Sequence, residues 1–249
     1  MDPHSSPSAA SPTPVTGWQR DFVIAVDRLI LAISRHWLLY LNLFVLLYVG
    51  VPFLAPVFMK LGATGPAHVI YTFYSALCHQ LGFRSWYLFG AQPNYPRAVF
   101  QQTTGIDPND LFAARAFIGN ADLGWKVAFC ERDVAIYGAV LFGGLLYAIP
   151  AVRRRVGPMP WLAYGLIGLA PIVLDGFSQL LSQYPYNLIP PFSLLPYRES
   201  TAVLRTLTGA LFGISNAWLA LPYLKISLED VRGELERKLR KVDAQASAA

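Results

Sequence analysis

The sequence predicts an all-α membrane protein, a bundle of four or five transmembrane helices with flanking amphipathic helices and an extracytoplasmic loop. The chain is 54% hydrophobic and only 14% charged, whereas soluble domains carry about 25% charged residues. The charges are clustered near the two ends, in the middle of the chain and in the run Arg153–Arg155. Long uncharged stretches separate these clusters, which is the pattern of a chain that crosses a bilayer repeatedly.

Four stretches are long and apolar enough to cross a hydrocarbon core about 30 Å thick. A fifth, Leu61–Phe83, has no charged residue but contains several Gly, Thr, Ser, His and Gln residues, and the sequence leaves open whether it spans. The four predicted spans are Trp37–Met59, Val134–Val152, Pro160–Ser182 and Thr201–Leu224.

The positive-inside rule orients the predicted bundle in the cell membrane. The three consecutive arginines lie in a short connection, so we expect that connection to be cytoplasmic. With four spans both termini are then cytoplasmic, and the loop 84–133 lies outside. Within this loop, Asp107 and Pro108 predict the start of a short helix that continues to Ile118.

The predicted organisation has four parts, which are a disordered tail (1–17), an amphipathic interfacial helix (18–36), the transmembrane bundle (37–224) and a cytoplasmic amphipathic helix with its tail (225–249). We expect the lipid bilayer as a partner, together with other membrane-protein subunits bound through the terminal helices. The net charge of +5 comes largely from basic clusters beside apolar segments, so it does not indicate nucleic-acid binding.

A Cys/His/Asp cluster is predicted at the outer face, because two reactive groups fall on that side in either topology. They are Cys78-His79 and Cys130 with Asp133. Thiolate, imidazole and carboxylate are the ligands of tetrahedral zinc sites. Two alternatives stay open, a Cys78–Cys130 disulfide, which suits an outer compartment, and free buried thiols.

These residues also resemble a prokaryotic family of multi-pass membrane proteins of unknown function. The family motifs are Cys-His-Gln followed by Arg-Ser, Cys-x-Arg-Cys-x-Gly-x-Tyr, and Asp-Gly. The chain has Asp133 in place of the second cysteine of the long motif and Ala135 in place of its glycine. The resemblance therefore implies a ligand cluster more than a thiol redox cycle, and it implies no activity. The matching residues are Cys78-His79-Gln80, Arg84-Ser85, Cys130, Arg132, Tyr137 and Asp175-Gly176.

Two ionisable residues, Asp175 and Arg205, fall inside predicted spans. A lone charge inside a span costs about 2.5–3.5 kcal/mol on insertion scales, so such residues usually pair or face the bundle interior. We predict that they either form an ion pair joining two helices or line a polar pocket shared with Gln179, Tyr137 and Arg132.

Three functions fit the sequence. The first is an accessory or binding protein, or a subunit of a membrane complex, whose outer cluster is structural. The second is a metal-dependent membrane enzyme that uses the outer cluster. The third is a small transporter or channel that uses Asp175 and Arg205. The sequence names no substrate, reaction or partner.

Overall fold

The computed structural model describes residues 17–247, so the predicted disordered tail lies outside the described residues except for Gly17. Contacts divide the described chain into two units, one formed by residues 17–37 with 226–247 and the other by Leu38–Lys225. The α-helices are α1 (Trp18–Lys60), α2 (Thr64–Ser75), α3 (Arg97–Thr104), α4 (Leu111–Ala116), α5 (Glu131–Ala148), α6 (Pro150–Arg155), α7 (Trp161–Ala163), α8 (Ala170–Leu181) and α9 (Ala202–Ser247).

The first unit contains the two predicted amphipathic segments, and both are helical. Leu31 and Leu239 are buried between them, whereas Phe22, Leu29 and Ile33 of the first segment are exposed. Ion pairs flank this seam, and their side chains are partly or largely exposed except that of Asp27, so most of them contribute little compared with the apolar contact. The pairs are Lys238–Asp27 (2.5 Å), Arg28–Asp243 (3.0 Å) and Arg35–Glu236 (3.1 Å).

Within the described residues, three helices are long and apolar enough to cross a membrane, so the prediction of four spans is not confirmed. The predicted span Val134–Val152 corresponds to α5, which ends at Ala148 because Pro150 begins a separate helix. The helices that qualify are Trp18–Lys60, Trp161–Leu181, which joins α7 and α8 through the π-helical stretch Tyr164–Leu169, and the apolar part of α9.

The ambiguous stretch Leu61–Phe83 forms one short helix. α2 has 12 residues and is therefore about 18 Å long, too short to cross about 30 Å of hydrocarbon. Its buried face, Tyr71 and Tyr74, packs in one cluster with Ala128 and Phe129. The polar residues from Thr64 to Ser75 thus belong to a helix packed on other protein elements, while His79 and Gln80 follow it.

The predicted all-α architecture is wrong in the loop 84–133, which contains an antiparallel sheet. The strands are β1 (Ser85–Leu88), β2 (Gly119–Asn120) and β3 (Gly124–Cys130), in the order β1-β3-β2. Aromatic and β-branched residues in β1 and β3 favour this pleated pairing. A turn joins β2 to β3, where the Asn120 side chain accepts hydrogen bonds from the backbone N–H groups of Asp122 and Leu123.

The predicted short helix of this loop exists, but its cap is different. Asp110 is the N-cap, since its carboxylate accepts a hydrogen bond from the Ala113 N–H at 3.0 Å. Asp107 instead accepts from the Asn109 N–H and forms a turn before the helix. The helix therefore starts three residues later than an Asp107 cap would place it.

The helices α5 and α9 pack with their backbones in close contact. A Cβ atom added at Gly213 of α9 would lie 2.2 Å from the Ile136 carbonyl oxygen of α5, and one at Gly209 would lie 2.9 Å from the Arg132 carbonyl oxygen. Small residues permit such close approach of membrane helices. This contact fixes the first turns of α5 against α9, and the candidate site lies at that end.

Candidate functional site

A polar cleft of about 230 Å³ lies where the segment after α2, the start of α5 and the helices α8 and α9 converge. It contains most of the ionisable residues that the sequence singled out. Its lining residues are Leu77, Cys78, His79, Gln80, Leu81, Arg84, Cys130, Arg132, Asp133, Gln179 and Arg205.

Three potential metal ligands converge in this cleft. The ligand atoms of Cys78, Cys130 and Asp133 all lie within 4.8 Å of one another. Cys130 ends β3 and is the N-cap of α5, while Asp133 lies in the first turn of that helix. Two thiols and a carboxylate are a donor set suited to zinc. The three ligand atoms are close enough together to bind one ion.

The two cysteines are free thiols in the structure, and their sulfur atoms differ in surroundings. Cys78 Sγ accepts hydrogen bonds from the backbone N–H groups of Cys130 at 3.3 Å and Gln80 at 3.5 Å. A hydrogen bond to Cys78, with burial, raises the pKa of the Cys130 thiol well above its usual range. A metal ion would displace this proton, because thiolates are the ligating form.

His79 lines the cleft but lies outside the group of three converging ligands. Its side chain is exposed while those of its neighbours Cys78 and Gln80 are buried. Adjacent side chains diverge along the backbone, and here Cys78 points towards the other ligands. Among the described residues, the predicted four-member set is therefore reduced to three.

The predicted pairing of Asp175 with Arg205 is wrong. Arg205 bonds to Glu131 at 2.9 Å and also to Glu199. Its side chain is only 5% exposed, and that of Glu131 only 2%. The two predicted residues thus belong to separate ion-pair groups, and of their charged partners the sequence analysis named only Arg132, as a member of the predicted pocket.

Asp175, in the middle of α8, forms its own group of contacts. Its carboxylate accepts hydrogen bonds from Arg132 at 2.6 Å, Arg198 at 2.7 Å and the Ser200 hydroxyl at 2.7 Å. Arg198 also donates to the Ser178 hydroxyl. A buried carboxylate needs such charged partners, and two arginines provide them here.

Glu199 accepts hydrogen bonds from several residues and links the loop before α9 to the segment that precedes β1. Arg84 donates to both of its carboxylate oxygens, at 2.7 and 2.8 Å, in the bidentate geometry that gives strong pairs. Gln183 and Gln179 also donate to this carboxylate, at 3.1 and 3.2 Å. Sequence reasoning missed Glu199 because its partners lie up to 115 positions away.

Two buried polar atoms of the cleft residues have no hydrogen-bond partner within the described part of the chain, Gln179 Oε1 and Arg132 Nε. Tyr137, which the sequence placed in the same pocket, lies elsewhere. Its ring contacts those of Tyr48 and Phe129, with centroid distances of 4.7 and 5.9 Å. Of the residues predicted to share a pocket, Arg132, Gln179 and Arg205 line the cleft, whereas Asp175 and Tyr137 do not.

Lys126 is a buried cation beside the Cys78 segment. It is fully buried in β3, and its Nζ donates to the carbonyl oxygens of Gln80 at 2.7 Å and Arg115 at 2.5 Å. Burial lowers the pKa of Lys126 to about 7. The lysine therefore ties the backbone of the Cys-His-Gln segment to the sheet.

Comparison with known proteins finds relatives without an assigned activity. Residues 115–219 match a family described as a predicted membrane protein (DUF2085). An uncharacterized protein of Methanocaldococcus jannaschii is 27% identical over 197 residues, which cover 76% of this chain and 92% of the relative. No solved structure matches the chain at a significant level. The predicted resemblance to membrane proteins of unknown function is confirmed at this level, whereas the motifs behind it are not tested.

Replacing Arg205 with alanine tests the buried ion pairs. We expect Arg205→Ala to lower the free energy of unfolding by about 3–5 kcal/mol, because it leaves Glu131 buried without its cation. Denaturant titration of the protein in detergent micelles measures this loss. Arg28→Ala, which removes an exposed pair with Asp243, is the control and should change stability little. Equal effects of the two substitutions would contradict the buried pairing.

Lys126 makes stability depend on pH in a defined direction. Its pKa is about 7 in the folded chain against an ordinary value of 10.5. Between these two pH values the unfolded chain therefore carries a proton on this lysine that the folded chain lacks. Stability should therefore rise as pH increases from 7 towards 10.5. Thermal unfolding of the wild type and Lys126→Met at several pH values measures this. The wild type should gain stability relative to the variant as the pH rises. A constant difference between them would contradict the account.

Proposed function

We propose that the chain is a multi-pass membrane protein that binds a zinc-class divalent ion at its outer face through Cys78, Cys130 and Asp133. The observation that carries the proposal is the convergence of their three ligand atoms within 4.8 Å. The residues come from two separate segments, so their convergence is a property of the fold. A carboxylate at an arbitrary surface position would not be expected to lie beside two thiols.

The proposed topology has four crossings, the three long apolar helices and α5. With 18 residues, α5 is about 27 Å long, and its close backbone contact with α9 supports a position inside the bundle. The cluster lies at the N-terminal end of α5, whereas the arginines of α6 follow its C-terminal end. If the arginines are cytoplasmic, the cleft faces outward and both termini lie inside.

In this proposal the first role of the metal is structural. It would join the segment after α2 to the end of β3 and the first turn of α5, in addition to the hydrogen bonds that Gln80 already makes with β3. This role suits an accessory or binding protein, with the terminal amphipathic helices as contacts for other membrane subunits. The set of three protein ligands also leaves a coordination position, as in catalytic zinc sites.

Metal content is the direct test. Protein purified in detergent under reducing conditions and loaded with zinc should retain about one ion per chain after dialysis. Cys78→Ser, Cys130→Ser and Asp133→Asn should each lower this stoichiometry. Asp122→Asn, which changes an exposed aspartate of the β2–β3 turn, is the matched control for Asp133→Asn and should retain the ion.

Thiol labelling distinguishes the competing disulfide. Without reductant, the metal-bound thiols should become reactive once a chelator removes the ion. If labelling instead requires a reductant, and zinc-loaded reduced protein retains no ion, Cys78 and Cys130 form a disulfide and the metal proposal is wrong.

A further inference from the structure

We infer that the metal site is a redox switch, in which a peroxide-class oxidant joins Cys78 to Cys130 in a disulfide and thereby releases the ion. The inference rests on the proposed function, because the ion that leaves is the one proposed there. What it adds is a second state of the same two sulfur atoms, together with the reagent that produces this state. The two states exclude each other, since a sulfur atom in a disulfide is no longer a thiolate ligand.

The two sulfur atoms are close enough for either state. They lie within 4.8 Å of each other, and the Cys130 thiol forms a hydrogen bond to Cys78. A disulfide bond is about 2.05 Å long, so the sulfur atoms have to approach by a few ångströms at most. Cys78 lies in a segment after α2 that is neither helix nor strand. Rotation of its side chain therefore breaks no secondary structure.

The composition of the chain leaves a single intramolecular pairing. The sequence contains two cysteines, so a disulfide within one chain can join only Cys78 to Cys130. The third proposed ligand, Asp133, has a carboxylate that takes no part in thiol oxidation. Formation of the disulfide thus removes two of the three proposed ligands in one reaction, and a single carboxylate does not make a zinc site.

The dimensions of the cleft favour a small oxidant. Both cysteines line the cleft, but Cys78 is only 7% exposed, which hinders attack by the disulfide of another protein. The cleft volume of about 230 Å³ exceeds the share of one water molecule in the liquid, about 30 Å³. Hydrogen peroxide is little larger than water and can therefore enter. At an outer face, moreover, the thiol systems that keep cytosolic cysteines reduced are absent.

Oxidation by peroxide balances without a further reagent. One thiolate sulfur attacks a peroxide oxygen, the O–O bond breaks and hydroxide leaves, which gives a sulfenic acid. The other thiolate sulfur then attacks the first, the S–O bond breaks and a second hydroxide leaves as the S–S bond forms. The thiolates lose two electrons, peroxide is reduced to two hydroxide ions, and the divalent ion departs unchanged. A dithiol reductant restores both thiols by thiol–disulfide exchange.

The disulfide takes over the structural role that we propose for the ion. It joins the segment after α2 to the end of β3, as the ion does. It also links residues 52 positions apart, and a cross-link over a long loop stabilises a fold by restricting the unfolded chain. The oxidised protein should therefore stay folded without metal, so that oxidation changes metal occupancy and leaves the fold intact.

The test starts from reduced, zinc-loaded protein in detergent micelles, freed of excess zinc and reductant. Hydrogen peroxide is added, catalase ends the reaction, and bound zinc, free thiols and peptide masses are measured. We expect bound zinc to fall from about one ion per chain towards none, with loss of both thiols. Peptide mapping should find Cys78 linked to Cys130 within one chain. A dithiol reductant with fresh zinc should restore the ion.

Two variants separate the disulfide from other oxidation products. In Cys130→Ser the Cys78 sulfur has no partner in the chain, so peroxide should convert it to sulfinic acid, which a dithiol does not reduce. Asp133→Asn keeps both thiols and should still form the disulfide reversibly, although it retains less zinc. An equally reversible loss of thiol in Cys130→Ser would contradict the pairing.

The outcomes also distinguish this inference from the proposed function. If the reduced protein retains zinc but peroxide yields sulfinic or sulfonic acids, links two chains or leaves the ion bound, the inference is wrong and the metal site stands. Loss of the helical circular dichroism signal on oxidation would also contradict it, because the ion would then leave an unfolded chain. If the reduced protein retains no zinc, the proposed function itself fails, whether or not a disulfide forms.

Discussion

The buried guanidinium of Arg205 is the interaction on which the rest of the site depends. It lies between Glu131 at the start of α5 and Glu199 in the loop before α9. A charge that is 5% exposed is tolerated only when it is paired and hydrogen-bonded. Because Glu131 lies between Cys130 and Asp133, the ion pair that fixes it also fixes the positions of two of the three candidate metal ligands.

The third ligand, Cys78, is held from the opposite side by hydrogen bonds to the neighbouring Gln80. Gln80 adopts a positive φ of 52°, and its side-chain amide donates to the carbonyl oxygens of Tyr71 and Ala128, both at 3.0 Å. Lys126 donates to the Gln80 carbonyl oxygen. These bonds set the direction in which the chain leaves α2 and bring Cys78 Sγ to the N–H of Cys130. The cleft is thus preorganised from two sides, which favours binding of a small ligand.

Much of the membrane part could be predicted from composition, because apolar length alone identifies Trp161–Leu181 and the apolar part of α9. The convergence of Cys78, Cys130 and Asp133 could also be predicted. These residues are potential metal ligands, and the predicted topology places them on the same side of the membrane. The pairing of Arg205 with Glu131, 74 positions away, could not be predicted, because ion pairs between distant segments depend on tertiary packing. The sheet in 84–133 was missed for a similar reason. β1 has four residues and pairs with β3, about 40 positions later. A strand this short shows no clear alternation of apolar and polar residues in the sequence.

The central claim is that this fold brings two thiolates and one carboxylate onto a single metal ion. X-ray absorption at the zinc edge, on the reduced and zinc-loaded protein, tests it most directly. The account predicts a shell of two sulfur atoms at about 2.3 Å together with oxygen or nitrogen atoms at about 2.0–2.2 Å. A shell of oxygen and nitrogen alone would contradict it, because the ion would then lie away from both cysteines.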